Sequence, residues 1–331
     1  MKFIFATDFH LKDTNPVSRI DDYKESIFEK MYQVSNLANK LGAYTIIGGD
    51  VFTIKDSVRV SHGLARRVTA WMQEFNNPPY LLIGNHDINY DNLETVKHQP
   101  IGQVIQSGSV YWSGSVSLKG KAGLMSSPKE GFILDDGKIK VRLLLRDYQN
   151  PFKVSKDYFN IEESDCDYTI MATHFNFTVN SDYFYSEPAI PYSNFYDKKL
   201  DVLFNGHLHN MGSDSIFRRD NQYFLNPGAL SRGSISEDDV SRNPAVSFVS
   251  IDSDGIDVKN VLLRAKPAEE VFCIEDRNKY EDNKIKISEF ISSLAGLSND
   301  GEDSFDDILG RMELKKDILD EVNSYLVKAS E

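Results

Sequence analysis

The chain has 331 residues, 40% of them apolar and 26% charged, enough to bury one substantial core and to carry a small appendage. No apolar run approaches the roughly 20 residues that cross a bilayer. Met1 is followed by Lys2 and Phe3-Ile4-Phe5 rather than a long leader, so the protein is expected in the cytoplasm.

Two cysteines, Cys166 and Cys273, exclude a disulfide framework or a thiolate metal site and read as reduced structural thiols. The net charge of −13 is unevenly placed: residues 267–331 carry −9 and the first 266 only −4. The main body is therefore not excluded from binding a polyanion.

Residues 2–7 predict a short apolar strand, and 20–41 a helix with Ile27, Met31, Val34, Leu37, Ala38 and Leu41 on one stripe, ended by Gly42. A strand over 44–47, a helix over 58–75 closed by Asn76-Asn77-Pro78-Pro79, and a strand over 80–83 follow. Alternation of apolar strands with helices predicts a parallel sheet whose ligand sites lie beyond the carboxyl ends of its strands. After Asp91 the pattern becomes strand-rich, with candidates at 110–118, 122–125, 138–145, 168–172, 202–204, 222–225 and 245–251, expected to form a second sheet facing the first. Past Pro267 come acidic, Asn-rich segments. Two amphipathic stretches then carry Ile287, Phe290, Ile291 and Leu294, and Ile318, Val322, Tyr325 and Leu326.

Polar residues collect where the strands end. Asp8-Phe9-His10 follows the first strand, and the alternation of extended chain is expected to point Asp8 and His10 to the same side. Gly48-Gly49-Asp50 follows the second, Gly84-Asn85-His86-Asp87 the third, and later strands end in His174 and in His207-Leu208-His209. Five of the seven histidines sit at such ends, beside glycine or another polar group. Imidazole, carboxylate and amide oxygen form a donor set suited to manganese, iron or zinc. A carboxylate shared by two such ions, about 3.5–4 Å apart, suits in-line phosphoryl displacement.

In this order, Asp-x-His, Gly-Asp, Gly-Asn-His-Asp, a later His and Gly-His-x-His resemble the full motif set of the calcineurin-like metallophosphoesterases over roughly the first 265 residues. The resemblance implies a four-layer α-β-β-α sandwich of two facing mixed sheets in residues 1–266. It also implies two divalent ions, with manganese the expected metal. By it Asp8, His10, Asp50 and His209 would hold one ion, and Asp50, Asn85, His174 and His207 the other. His86 would act on the leaving oxygen without being a ligand.

Within that superfamily, Gly49-Asp50-Val51-Phe52 and the loop Asn226-Pro227-Gly228-Ala229-Leu230-Ser231-Arg232 are similar to the SbcD-type DNA-repair nuclease subunits, including those of T4-like phages. This implies a DNA exo/endonuclease of double-strand-break repair and recombination. It further implies an SMC-like ATPase partner of the SbcC type bound through residues 285–331, a short cap remnant with a small helical appendage in 267–331, and pairing of two copies through the catalytic domain. Thr53 stands where many members carry a histidine.

Other residues divide between roles. Arg218, Arg219 and Arg232 are expected to touch phosphates, and Tyr183, Phe184 and Tyr185 are candidates for stacking a base. Lys119, Lys121, Lys129, Lys138, Lys140, Arg142 and Arg146 form either a DNA-binding face or an ordinary solvent side. His62 and His98 read as helix and loop residues, Asp87 as a turn cap, and Asp13 and Asp56 as solvated carboxylates. Two other functions stay open: a phosphodiesterase or phosphatase of small substrates, and a noncatalytic scaffold, against which the complete ligand set argues.

Overall fold

The computed structural model describes residues 1–54, 60–114, 131–179, 188–210 and 212–273. In chain order its strands are β1 (Lys2–Ala6), β2 (Tyr44–Ile47), β3 (Tyr80–Leu81), β4 (Tyr111–Trp112), β5 (Phe132–Asp135), β6 (Lys140–Arg146), β7 (Tyr168–His174), β8 (Phe177–Thr178), β9 (Ile190–Pro191), β10 (Val202–Gly206), β11 (Ile216–Arg219), β12 (Gln222–Leu225), β13 (Ala245–Asp252) and β14 (Gly255–Leu262). The α-helices are α1 (Tyr23–Leu41), α2 (His62–Met72), α3 (Pro100–Gln106), α4 (Glu237–Ser241) and α5 (Ala268–Val271).

Two six-stranded mixed sheets form the body, ordered β14-β13-β1-β2-β3-β4 and β11-β12-β10-β7-β6-β5. Period-2 alternation sorts their side chains. Phe3, Phe5, Ile46, Leu82, Val249 and Ile251 of the first sheet meet Val141, Leu143, Leu145, Ile170, Ala172, Val202, Phe204 and Leu225 of the second in one core. The alternate residues Ile4, Ala6, Ile47 and Leu81 face α1, α2 and α3, packing on Ile27, Met31, Val34 and Trp71. Behind the second sheet, Leu144, Met171, Leu203 and Phe224 are covered by Phe159, Phe175, Phe177, Tyr192 and Phe195. That outer layer is made of aromatic loops and 3-10 turns, so the two faces of the expected sandwich are clothed differently.

Capping fixes the helix starts. Asp22 accepts from the Glu25 N–H, so α1 begins at Tyr23 rather than near Ile20, and Ser61 does the same for α2 through the Leu64 N–H. Gly42, at φ 60°, closes α1 as expected. The Ile20 N–H instead donates to Val271 O, and Val271 and Phe272 are buried, so residues 268–272 pack with the body.

The expected partition of strands needs correction. Tyr111–Trp112 and Ala245–Asp252 belong to the first sheet, the latter pairing antiparallel with β1, because the chain returns to that edge and closes it with the β13-β14 hairpin. The edge strands β5, β11 and β14 lack a full apolar alternation and give no clear sequence signal. The candidate strand at 122–125 lies outside the described residues.

Candidate metal centre

Strands β1, β2 and β3 of one sheet run parallel to one another, as do β7 and β10 of the other, and their carboxyl ends converge on one spot. The expected side-by-side placement of Asp8 and His10 holds, but not for the expected reason. β1 stops at Ala6, and both residues adopt left-handed backbone, at φ 57° and 50°. Asp50, at φ 49°, and His207, at φ 77°, do the same, so four of the seven non-glycine residues with positive φ among the described ones lie here. Each such residue costs roughly 1–3 kcal/mol, held by dense backbone pairing. The Leu230 and Ser231 N–H groups donate to the carbonyls of Thr7 and Asp8, and the His10 N–H donates to Asp50 O.

Two glycines make room for this convergence. A Cβ on Gly84 would fall 2.1 Å from Asp50 Oδ1, and one on Gly49, itself at φ 94°, would fall 2.8 Å from His174 Nδ1.

The side chains form two overlapping clusters. In the first, His10 Nε2 lies 2.9 Å from His209 Nε2, 3.8 Å from Asp8 Oδ1 and 3.7 Å from Asp50 Oδ2, and His209 Nε2 lies 3.7 Å from Asp8 Oδ1. In the second, His174 Nε2 lies 3.3 Å from Asp50 Oδ2 and 3.2 Å from Asn85 Oδ1, and His207 Nδ1 lies 3.1 Å from Asn85 Oδ1. Asp50 belongs to both. His86 is near the first: its ring stands edge-on to His10 at 4.8 Å, and its N–H donates to Asp50 Oδ1 over 2.7 Å.

Neighbouring atoms of the chain set the ring orientations. His174 Nδ1 lies 2.7 Å from Gly48 O, which can only accept, so Nδ1 carries a proton and Nε2 faces the cluster. His10 Nδ1 meets Thr53 Oγ1 at 3.1 Å. Tyr148, fully buried, stacks on His207 and stands edge-on to His174.

The electrostatics suit a cation. Burial works to raise Asp50, yet His174, then His10 and His86, hold it well below the usual carboxylate range. Burial likewise opposes charge on His174, but Asp50 and Asp8 overcome it and push the imidazole up to about 9. Burial, only partly offset by Asp50, keeps His10 neutral, the form that ligates. Asp8 Oδ1 is buried and accepts no hydrogen bond, although it faces His10, His209 and His174 within 4.0 Å.

Adjacent ligand atoms of one ion, each about 2.1 Å from it, stand about 3.0–3.5 Å apart. Carboxylate, imidazole and amide oxygen donors at these spacings therefore fit divalent ions. Among the described residues three sets of His and carboxylate groups could hold one: Asp8 with His10 and His209; His10 with Asp50 and His86; and Asp8 with Asp50 and His174.

All eight residues expected at the centre come together, whereas the expected phosphate contacts do not. Arg219 pairs with Gln222 because β11 returns antiparallel to β12. Arg218 and Arg219 therefore sit at the amino end of the parallel strands, roughly five residues and about 16 Å from the centre. Arg232 is buried beneath Phe272 and donates to Lys266 O. Its loop braces the site instead, with the Ala229 N–H on His209 O and Ser231 Oγ on Asp8 O.

Arg142 and Arg146 form no basic face: both are buried and donate to the carbonyls of Glu162, Tyr158 and Asn160. Asp87 caps its turn, accepting from the Phe52 and Gly84 N–H groups, and burial followed by Asp50 pushes it up to about 7. Asp13 accepts from the Ser61 N–H, and His62 is exposed beside Gln103. Tyr183, Phe184, Tyr185, Asp56, Lys119, Lys121, Lys129 and residues 285–331 lie outside the described residues. Sequence reading missed Tyr148 and the Gly48 carbonyl. Tyr148 could have been found, since it follows the carboxyl end of a predicted strand.

Among the described residues no helix is long and apolar enough to cross a membrane. The family model described as calcineurin-like phosphoesterase matches residues 1–211. The crystal structure of calcineurin-like phosphoesterase YfkN from Bacillus subtilis is similar at 11% identity and a TM-score of 0.40, over 86% of this chain and 98% of that one. That of a Vps29 single mutant from Entamoeba histolytica is similar at 11% identity and a TM-score of 0.32, over 80% and 100%. No curated protein matches the chain.

Proposed function

The chain belongs to the calcineurin-like phosphoesterase family, and on that premise we propose that it is the nuclease subunit of an SbcD-type DNA-repair complex, cutting phosphodiester bonds with two divalent ions, manganese by preference. The observation that carries the catalytic part is the position of Asp50. Its Oδ2 stands 3.7 Å from His10 Nε2 and 3.3 Å from His174 Nε2, which supports a carboxylate that would serve two ions.

Asp8, His10, Asp50 and His209 would hold one ion, and Asp50, Asn85, His174 and His207 the other. Two ions so held would supply Lewis acidity toward a phosphate oxygen and make water a nucleophile near neutral pH. Asp8 and Asp50 would return −2 against their +4, so the pocket would keep about +2 and draw in a phosphodiester although the chain is acidic. Gly48 O and Thr53 Oγ1 fix the rings of His174 and His10. His86, whose N–H is anchored on Asp50, presents its imidazole at the edge of the cluster, where it can pass a proton to the leaving oxygen.

DNA as substrate is supported by the likeness of Gly49-Asp50-Val51-Phe52 and of the Asn226 to Arg232 loop to the SbcD-type subunits. The same likeness supports docking of residues 285–331 on an SMC-like ATPase and pairing of two catalytic domains.

The test is cleavage of end-labelled linear DNA with added manganese by the wild type and by His86→Ser. The proposal expects wild-type degradation and a fall of about 10²–10⁴-fold in the variant, with its bound metal unchanged. Intact DNA alongside brisk hydrolysis of bis(p-nitrophenyl) phosphate would replace the nuclease by a small-substrate phosphodiesterase.

A further inference from the structure

Two large aromatic rings stand in solvent on loops that leave the centre side by side. The first loop follows Gly84-Asn85-His86-Asp87 at the end of β3, and the second follows Tyr148 at the end of β6. They start together: Asp147 Oδ1 accepts from the Ile83 N–H, and the Tyr148 N–H donates to Ile83 O. Tyr90, four residues past His86, is 96% exposed, and Phe152, four residues past Tyr148, is 71% exposed. Four residues of extended chain span at most about 14 Å, so both rings lie within nucleotide reach of the centre.

The rings are held in place. Tyr90 has φ 56° and Asp91 φ 49°, a left-handed backbone that a bulky aromatic residue rarely adopts. Ile88 is anchored in the core, and the Asn89 N–H donates to Thr95 Oγ1, so the strained turn lifts Tyr90 outward. Asn150 ties the two loops with both ends of its amide. Its Nδ2 donates to Asp91 Oδ2 at 3.1 Å, and its Oδ1 accepts from the Phe152 N–H at 3.0 Å. Lys153, exposed and next to Phe152 in the chain, offsets the carboxylate of Asp91.

Exposing two such rings leaves apolar area in water, and holding Tyr90 in that backbone adds strain. Nothing inside the described fold uses either ring. A stacking surface with a cation-binding centre behind it complements a chain of bases joined by phosphates.

We propose that Tyr90 and Phe152 form a platform on which bases of a single-stranded nucleic acid stack while an adjoining phosphate enters the metal centre. This rests on the nuclease reading and gives it a substrate form, unpaired strand, since a base inside a duplex has no free face to offer.

The experiment is a fluorescence titration of a single-stranded oligonucleotide carrying 2-aminopurine with the full chain, without added metal so that no cutting occurs. Wild type, Tyr90→Ala, Phe152→Ala and Tyr90→Phe are compared. Wild type should quench the probe on binding. Each alanine variant should weaken binding about 5- to 150-fold, the range for loss of one stacked base, and Tyr90→Phe should bind like wild type. All variants should keep the wild-type far-UV circular dichroism and thermal unfolding midpoint, so that a change in binding is not a change in folding.

Equal affinity in wild type and alanine variants, or no quenching by wild type, would overturn the platform. So would a dimer in sedimentation that the alanine changes dissociate, because the rings would then serve a second copy of the chain. Ring-dependent binding without any cleavage after manganese is added would sink the nuclease reading alone. Cleavage with ring-independent binding would sink the platform alone.

Discussion

The deep and shallow sides of the metal centre are built on opposite plans. On the deep side Asp50, Asn85 and His174 are sealed from solvent, and His174 has its proton assigned by the Gly48 carbonyl. On the shallow side the His209 side chain is 47% exposed and His86 is half-buried, while His10 is oriented by a hydroxyl that can turn. A rigid floor would hold ions in fixed positions, and an open rim would admit a phosphate and release its product. Asp50 joins the two, and the sharpest changes should follow its loss.

Asp50→Asn should have the largest effect of any single change at the centre. It removes the charge that both clusters share, so metal content should collapse and phosphodiester hydrolysis should fall by more than about 10²-fold. Metal analysis by mass spectrometry and a bis(p-nitrophenyl) phosphate assay check this, and retention of both ions would mean that the two sides are independent. Thr53→Val should act on the shallow side alone, weakening one ion by about 10–100-fold while the other stays bound. Isothermal titration with manganese reads this split. Thr53→Ser should restore both sites, because it keeps the hydroxyl facing His10 Nδ1.

The smallest effect concerns a buried charge away from the centre. Burial, helped by Arg19 and Arg232, pushes Lys30 down to about 7. Its folded value lies below the unfolded value near 10.4, so between about pH 7 and 10 the unfolded chain binds the extra proton and stability rises with pH. Lys30→Met should flatten that rise, as measured by urea unfolding at several pH values, while leaving metal binding alone.

The sequence made the centre more legible than the scaffold. Its candidate ligands are polar residues at the ends of apolar strands, and that contrast survives without knowledge of the fold. What it hid is conformational. Asp8 and His10 share a side through two left-handed residues rather than through strand alternation, and no composition signal announces that. Arg218, Arg219 and Arg232 looked close to His209 in sequence, yet the β11-β12 hairpin carries two of them to the far end of the sheet and Phe272 covers the third. Arg142 and Arg146 read as surface charges because their acceptors are backbone carbonyls of a distant loop. Residues 245–251 read as a strand of the second sheet and β14 gives no signal, since pairing with β1 is a long-range choice.

The measurement that bears most directly on the account is manganese stoichiometry against activity, by metal titration of the stripped full chain with bis(p-nitrophenyl) phosphate hydrolysis followed in parallel. Two ions bound per chain, with hydrolysis appearing as the second site fills, is the expected result. Full hydrolysis with one ion bound, or with none, would contradict a centre organised around a carboxylate shared by two ions.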